Sequence, residues 1–264
     1  MVGGGTIDAS SLPAAAFDYP YRRGYMAVAI KGGSHNAVRH LRARSNNSDG
    51  AVGINGSPHG EISHCDVGGG ASGQGMTKGR CIWCLATSHA LVHDNWVRNC
   101  SSHTLDFDAF TSTSAAYNNL VEDGVEEGIF VEETANGNFV FNNTIRRCGS
   151  GIGLYSNAVG PVANNMVIGN RISEVSGDAI TAGGVGHPST KVSMGNIFAS
   201  NVATNNGGHD GGQFMIHHGA TLGDFWTDNV ATSDDARPGQ SAEYTPWHNS
   251  SEVVVFDPAP VSIN

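Results

Sequence analysis

Charge is what this chain has least of, and basic charge least of all. Only 14% of its 264 residues are charged, with 14 Lys and Arg against 24 Asp and Glu, for a formal net charge of −10. A chain of that balance is repelled by a phosphate backbone, and no run of Lys or Arg offsets the repulsion locally, so nucleic acid is set aside as a partner. Long apolar runs are also missing. No stretch approaches the ~18 consecutive apolar residues that a spanning helix needs, so no membrane partner is expected. Residues 1–12 carry neither the basic start nor the apolar centre of a leader. Their Gly3-Gly4-Gly5-Thr6-Ile7-Asp8 reads like the middle of a structural repeat, so a piece of a longer secreted precursor and an extracellular location are expected. Cysteine is scarce and odd in number: Cys65, Cys81, Cys84, Cys100 and Cys148. The single C-x-x-C, Cys81 with Cys84, lacks the second pair that a zinc site would want. Structural thiols are therefore expected, with Cys65 to Cys81 or Cys84 as the candidate disulfide of a secreted chain.

What the chain does have is glycine, 36 residues of it, with a hydrophobic fraction of 39% in short runs. One phrase returns about every two dozen residues. Each copy opens with a stretch whose second and fourth residues are apolar: Val28/Ile30, Val52/Ile54, Trp83/Leu85, Leu105/Phe107, Ile129/Val131, Ile152/Leu154, and less plainly Ile180/Ala182 and Phe214/Ile216. That alternation is a strand with one buried face. A second short strand follows an Asn in each copy, at Asn95, Asn119, Asn143, Asn170, Asn196 and Asn229. Asparagine accepts left-handed backbone angles and its amide can bond the same amide one turn away, so these residues are expected to close a solenoid corner. The openings fall near Ala27, Ala51, Ile82, Thr104, Gly128, Gly151, Ala179 and Gln213. No 3.6-residue apolar period follows a helix cap anywhere. The surplus of the longer copies lies in Gly-rich insertions at 68–78, 183–188 and 205–212.

These Asn-x-Val/Ile and Gly-Ile-x-Leu phrases, over residues 27–235, resemble those of the pectate-lyase-like superfamily of right-handed parallel β-helix proteins. The resemblance implies an all-β solenoid of about eight coils, with 1–26 as a cap or partial coil, 236–264 as a second cap, and one domain over 1–264. Members of that superfamily include polysaccharide lyases, glycoside hydrolases, sugar epimerases and phage tailspikes, so the resemblance does not choose a reaction.

The register chooses candidate residues instead. If positions two and four point inward, positions one, three and five point outward, and equal positions on successive coils lie about 4.8 Å apart. Asp108 and Glu132 then project side by side into solvent, with Asp106 on the same face and His103 beside Glu127. Glu133 adds to the acidic density, and Phe130, Tyr155 and His217 share the strip. A carboxylic acid that protonates a leaving oxygen and a carboxylate that attacks or activates water are the minimal set for glycoside cleavage, provided that the environment splits their pKa values. Asp108, Glu132 and Asp106 are accordingly the expected catalytic residues. His103, Glu127, Phe130, Tyr155, Glu133 and His217 are the expected lining of a site for an oligo- or polysaccharide, with no cofactor or metal.

Two other readings compete. The acidic cluster would suit Ca²⁺ in a polyuronide lyase or C5-epimerase. His103-Thr104-Leu105-Asp106-Phe107-Asp108 loosely resembles the Tyr-Gly-Phe-Asp-Pro-His phrase of mannuronan C5-epimerases, with Asp108 on the motif's Asp, although Ala109 and Phe110 stand where that family has Pro and His. The paired-Asp and His-Gly phrases of polygalacturonases are absent. The third reading is a non-catalytic glycan-binding or homo-oligomeric adhesin-type solenoid, which calls for aromatic residues spread over several coils.

Overall fold

The structure, a computed structural model, describes residues 2–9, 26–45, 50–69, 79–156, 160–184, 193–207, 214–216, 221–232 and 245–246. Among these there is no helix, and every strand pairing is parallel. The strands that open each repeat stack into one sheet, here called the front sheet. It runs through Val28–Lys31, Val52–Asn55, Ile82–Leu85, Leu105–Phe107, Glu127–Glu132, Ser150–Ser156, Ile180–Gly184, Phe214–Ile216 and Thr245–Pro246. A second, larger sheet forms the other two walls; the long strand Ala37–Ser45 pairs with Glu61–Ser63 and with Asp66–Gly69 and so joins them. This is the parallel β-helix expected. About six turns stack, slightly fewer than the eight coils expected. Most of the three Gly-rich insertions and of 236–264 lies outside the described residues, as does His217.

The core is the column of inward residues from all walls. Ile54, Ile82, Leu105, Phe107, Ile129, Ile152, Leu154 and Ile180 from the front sheet are fully buried, as are Ile62 and Phe198 from the opposite wall and Ile145 from the third. One turn departs from the register expected. Ile82, not Trp83, pairs with Leu105 and Val52, so Ile82 and Cys84 face inward while Trp83 and Leu85 face out. Trp83 therefore belongs to the outer face of the front sheet, beside Asp106, and not to the core.

Two asparagine ladders close the corners. In the first, each side-chain amide donates to the next Oδ1: Asn95 to Asn119, Asn119 to Asn143 and Asn143 to Asn170 at 3.0 Å, then Asn170 to Asn201 at 2.9 Å and Asn201 to Asn229 at 2.8 Å. Asn196, expected in this series, stands instead in a second one that runs Asn138, Asn165, Asn196 and ends on Asp224. The residues just before the first ladder, such as Asp94, Asn118 and Asn142, take left-handed φ of 54°, 55° and 53°, which short polar side chains tolerate. Each buried amide also binds backbone: Asn143 donates to Ala116 O and accepts from Asn119 N. Asn143→Ala would strand several of these buried groups at about 1–3 kcal/mol each. A stability loss of about 3 kcal/mol or more is expected in denaturant melts, against a smaller loss for the exposed Asn142→Ala. Equal losses would show that the ladder is not what holds the corner.

Candidate active site

Strand register brings the expected acids together on the outer face of the front sheet. Leu105 and Phe107 point inward, so Asp106 points out, opposite Trp83 on one side and Phe130 on the other. Asp108 follows the same strand and lies level with Glu132. Carboxylate oxygens of Asp106, Asp108 and Glu132 all lie within 4.8 Å of one another. The face is the one expected, but the surroundings are not: the carboxylates do not project into solvent. Side-chain exposure is 0% for Asp106, 4% for Asp108 and 15% for Glu132.

The group that covers them is Arg80, which the sequence reading missed. It precedes the strand Ile82–Leu85, and its guanidinium forms an ion pair with Asp106 through Nε. Its Nη2 lies 3.1 Å from Glu132 Oε1 and 3.6 Å from Asp108 Oδ2. The same guanidinium carbon stands 5.1 Å from the centre of the Trp83 ring. Trp83 in turn donates its indole N–H to Asp108 Oδ2 at 2.8 Å, and Ala109 N donates to Asp108 Oδ1 at 2.6 Å. One guanidinium thus answers three carboxylates, and the charge does not balance. Burial raises the proton affinity of Glu132 well above the ordinary carboxylate range, and the neighbouring Asp106 and Asp108 raise it further, with Arg80 opposing. Asp106 is also raised, by its complete burial between two aromatic rings and by Asp108, again against Arg80.

Arg80 is held from behind. Cys81 forms a disulfide with Cys100, with a Cα–Cα distance of 5.8 Å. Gly79 N donates to Ser101 Oγ and Ser102 N donates to Gly79 O, each at 3.1 Å. The pairing corrects the expected bond from Cys65 to Cys81 or Cys84. Cys65 and Cys84 are buried free thiols, because the register turns Cys84 into the core while Cys81 sits at the corner beside Cys100. The disulfide joins residues 19 apart, and a loop of that length is worth about 3 kcal/mol to the folded state. Reduction, or the Cys81→Ser/Cys100→Ser variant, is expected to lower stability by about that amount, read as a lower Tm; an unchanged Tm would show that the bond is not closed in solution.

Beside Glu132 runs the strip of lining residues. His103 Nδ1 lies 2.7 Å from Glu127 Oε2 and 3.5 Å from Glu126 Oε2, and its ring stacks on Phe130 at 4.1 Å. Tyr155 leans on Phe130 with ring centres 5.4 Å apart. Gly153 makes room for this: a Cβ there would stand 3.0 Å from Phe130 and 2.9 Å from Tyr155. Burial, with the nearby Glu127 and Asp178 charges, pushes the Tyr155 phenol up to about 12, so it stays a hydrogen-bond donor. Glu133 has turned off the strand at φ 48°, and its charge adds to the upward shift of Glu132. Sequence reasoning missed Asp178, which lies buried near Tyr155.

A solenoid of parallel strands is the architecture of β-helix proteins, and the sequence agrees. Residues 21–172, more than half of the chain, match the family described as "Right handed beta helix region", and the chain belongs to that family. Among curated proteins none matches the sequence. Two crystal structures of DFA-IIIase from Arthrobacter chlorophenolicus A6, both in complex with GF2 and one without its lid, are similar in fold. They superpose with TM-scores of 0.54 and 0.52 at 15% and 14% identity. The superpositions cover 76% and 78% of this chain but 50% and 53% of DFA-IIIase, so the chain spans about half the length of that protein.

Proposed function

We propose that this protein is a carbohydrate-active enzyme that cleaves a glycosidic bond at the cluster of Asp108 and Glu132. The observation that carries the reading is the split environment of the carboxylates around Arg80. Glu132 is the most exposed of the three and has its proton affinity raised, as a group that must deliver a proton to a leaving oxygen requires. Asp108 sits beneath it, oriented by the Trp83 indole and by Ala109 N, and serves as nucleophile or base. Oxygens within 4.8 Å fall nearer the ~5 Å separation of retaining glycosidases than the ~6.5–9.5 Å of inverting ones. Asp106, wholly buried, touches no sugar. It is a positioning residue that anchors Arg80 and raises the proton affinity of Glu132. His103, Glu127 and Tyr155 form the polar rim, with Phe130 as the apolar floor beneath them. The fold likeness to DFA-IIIase, a carbohydrate-active enzyme solved with GF2, supports a saccharide as substrate.

A Ca²⁺-dependent lyase would need the oxygens that Arg80 already engages, since the cation would have to enter where the guanidinium lies. The distinguishing experiment offers the protein a panel of neutral oligosaccharides headed by GF2, and separately polyuronides with and without EDTA. Reducing sugar or a rearranged saccharide from the neutral panel supports the proposal. Ultraviolet-absorbing unsaturated uronides, lost with EDTA, would replace it with the lyase. Binding without any product would leave a glycan-binding solenoid.

A further inference from the structure

A second cluster lies away from the front sheet, on the corner where the other two walls meet. We infer that His64, His93 and Asp94 form a binding site for a divalent late transition metal such as Zn²⁺. One ligand atom from each lies within 4.8 Å of the others. Register explains why. Ser63 pairs with His93, so His64 and Asp94 occupy the same corner position on consecutive turns, with left-handed φ of 53° and 54°. His93 sits beside them at the end of the strand Leu91–His93.

Each of the three has an outer partner that fixes its direction, which separates a built site from scattered surface histidines. The His93 ring stacks flat on Tyr117, with centres 4.7 Å apart and planes 5° apart. Its Nε2 faces Glu61 Oε1 at 3.4 Å, leaving Nδ1 toward Asp94 Oδ2 at 2.7 Å. Glu61 is itself locked by Arg39 Nε at 2.7 Å and Ser63 Oγ at 2.6 Å, and the Arg39 contact holds its carboxyl down at about 2. His93 therefore has a carboxylate behind the ring nitrogen that would not bind metal, as metal-ligating histidines commonly do. Asp94 is bonded by Asn118 as well as by His93, and the His64 ring stacks on His40 with centres 5.1 Å apart. A metal entering the cluster takes the place of the proton between His93 Nδ1 and Asp94, and a water fills the fourth position. Two imidazoles with one carboxylate suit Zn²⁺, Ni²⁺ or Cu²⁺ and not Ca²⁺ or Mg²⁺. The bound ion would clasp two neighbouring turns.

The test uses full-length protein without a histidine tag, stripped with EDTA and titrated with Zn²⁺ against a chromophoric chelator. One Zn²⁺ per chain and a raised Tm are expected, with Ca²⁺ failing to compete. His64→Ala and His93→Gln should each weaken binding at least about tenfold, and Glu61→Gln about 10- to 100-fold. His59→Ala, in the separate stack of His35, His59 and His89, and His103→Ala, at the carboxylate site, should bind as the parent does. Circular dichroism of each variant checks that the solenoid is intact. No Zn²⁺ uptake, or uptake undiminished in folded His64→Ala and His93→Gln, overturns the inference.

Discussion

Asp108→Asn and Glu132→Gln should each lower turnover by about 10³-fold or more while the protein melts at the same or a higher temperature. The two effects have one cause. Acid–base and nucleophilic roles are each worth orders of magnitude, and groups acting as a unit fail together when either is removed. The cluster is also a source of strain, since one guanidinium faces three carboxylates. Glu132 carries a folded-state proton affinity above its unfolded value. Such a group binds more protons folded than unfolded, so its stability contribution is full below the ordinary Glu range and falls as pH rises toward the raised folded value. Glutamine at 132 removes that dependence. The variant's Tm should exceed the parent's most at alkaline pH and converge with it in acid. Activity should decline as pH passes the raised value and the donor loses its proton. Full turnover in either variant on the sugar cleaved by the parent removes that residue from the mechanism. A Tm gap that does not widen with pH removes the account of Glu132 as a strained acid.

The solenoid was legible because its signal repeats: inward residues recur at positions two and four, and seven of the eight expected openings keep the register that the strands adopt. The exception is instructive. Cys81-Ile82-Trp83-Cys84-Leu85 is apolar at every position, so alternation permits two registers, and only pairing with Val52 and Leu105 selects between them. That single slip hid Trp83 from the site. The Asp108 and Glu132 neighbourhood survived because the expected inward residues, Leu105 and Phe107 on one strand and Ile129 and Val131 on the next, are the ones that pair, which leaves Asp106 and Phe130 together on the outer face. Arg80 was out of reach for another reason. It stands 52 residues from Glu132 and just after a Gly-rich insertion, where no periodicity fixes direction. A signal did exist: three outward acids this close demand a countercharge, and a search for a cation near the start of an adjacent rung would have found one. Asn196 was misassigned because two corners use the same amide chemistry, and sequence spacing alone does not say which corner a given Asn closes.

Arg80 is where the structural and catalytic demands on this face meet, and Arg80→Gln should be the most destabilising single change in it. The substitution keeps a polar side chain of moderate length but leaves Asp106, with no exposure, and Asp108 without their cation. Removing one partner of a buried ion pair costs about 3–5 kcal/mol. At about 2–4 °C per kcal/mol for a chain of this size, that corresponds to a Tm lower by roughly 10 °C. The chain can relieve the loss only by taking up protons. Arg80 opposes the upward shift of both Asp106 and Glu132, so without it both rise further. The deficit should therefore be smallest in acid, near the ordinary carboxylate range, and grow as pH rises. A double-mutant cycle isolates the coupling: Glu132→Gln on the Arg80→Gln background should recover part of the lost Tm, because one of the stranded charges is gone. Arg80→Lys keeps the charge but not the three-way fork, and should recover stability more than activity. An Arg80→Gln protein with parental Tm at every pH would mean that the guanidinium does not reside among the carboxylates in solution. The reading of Glu132 as an acid tuned by its neighbours would then lose its physical basis.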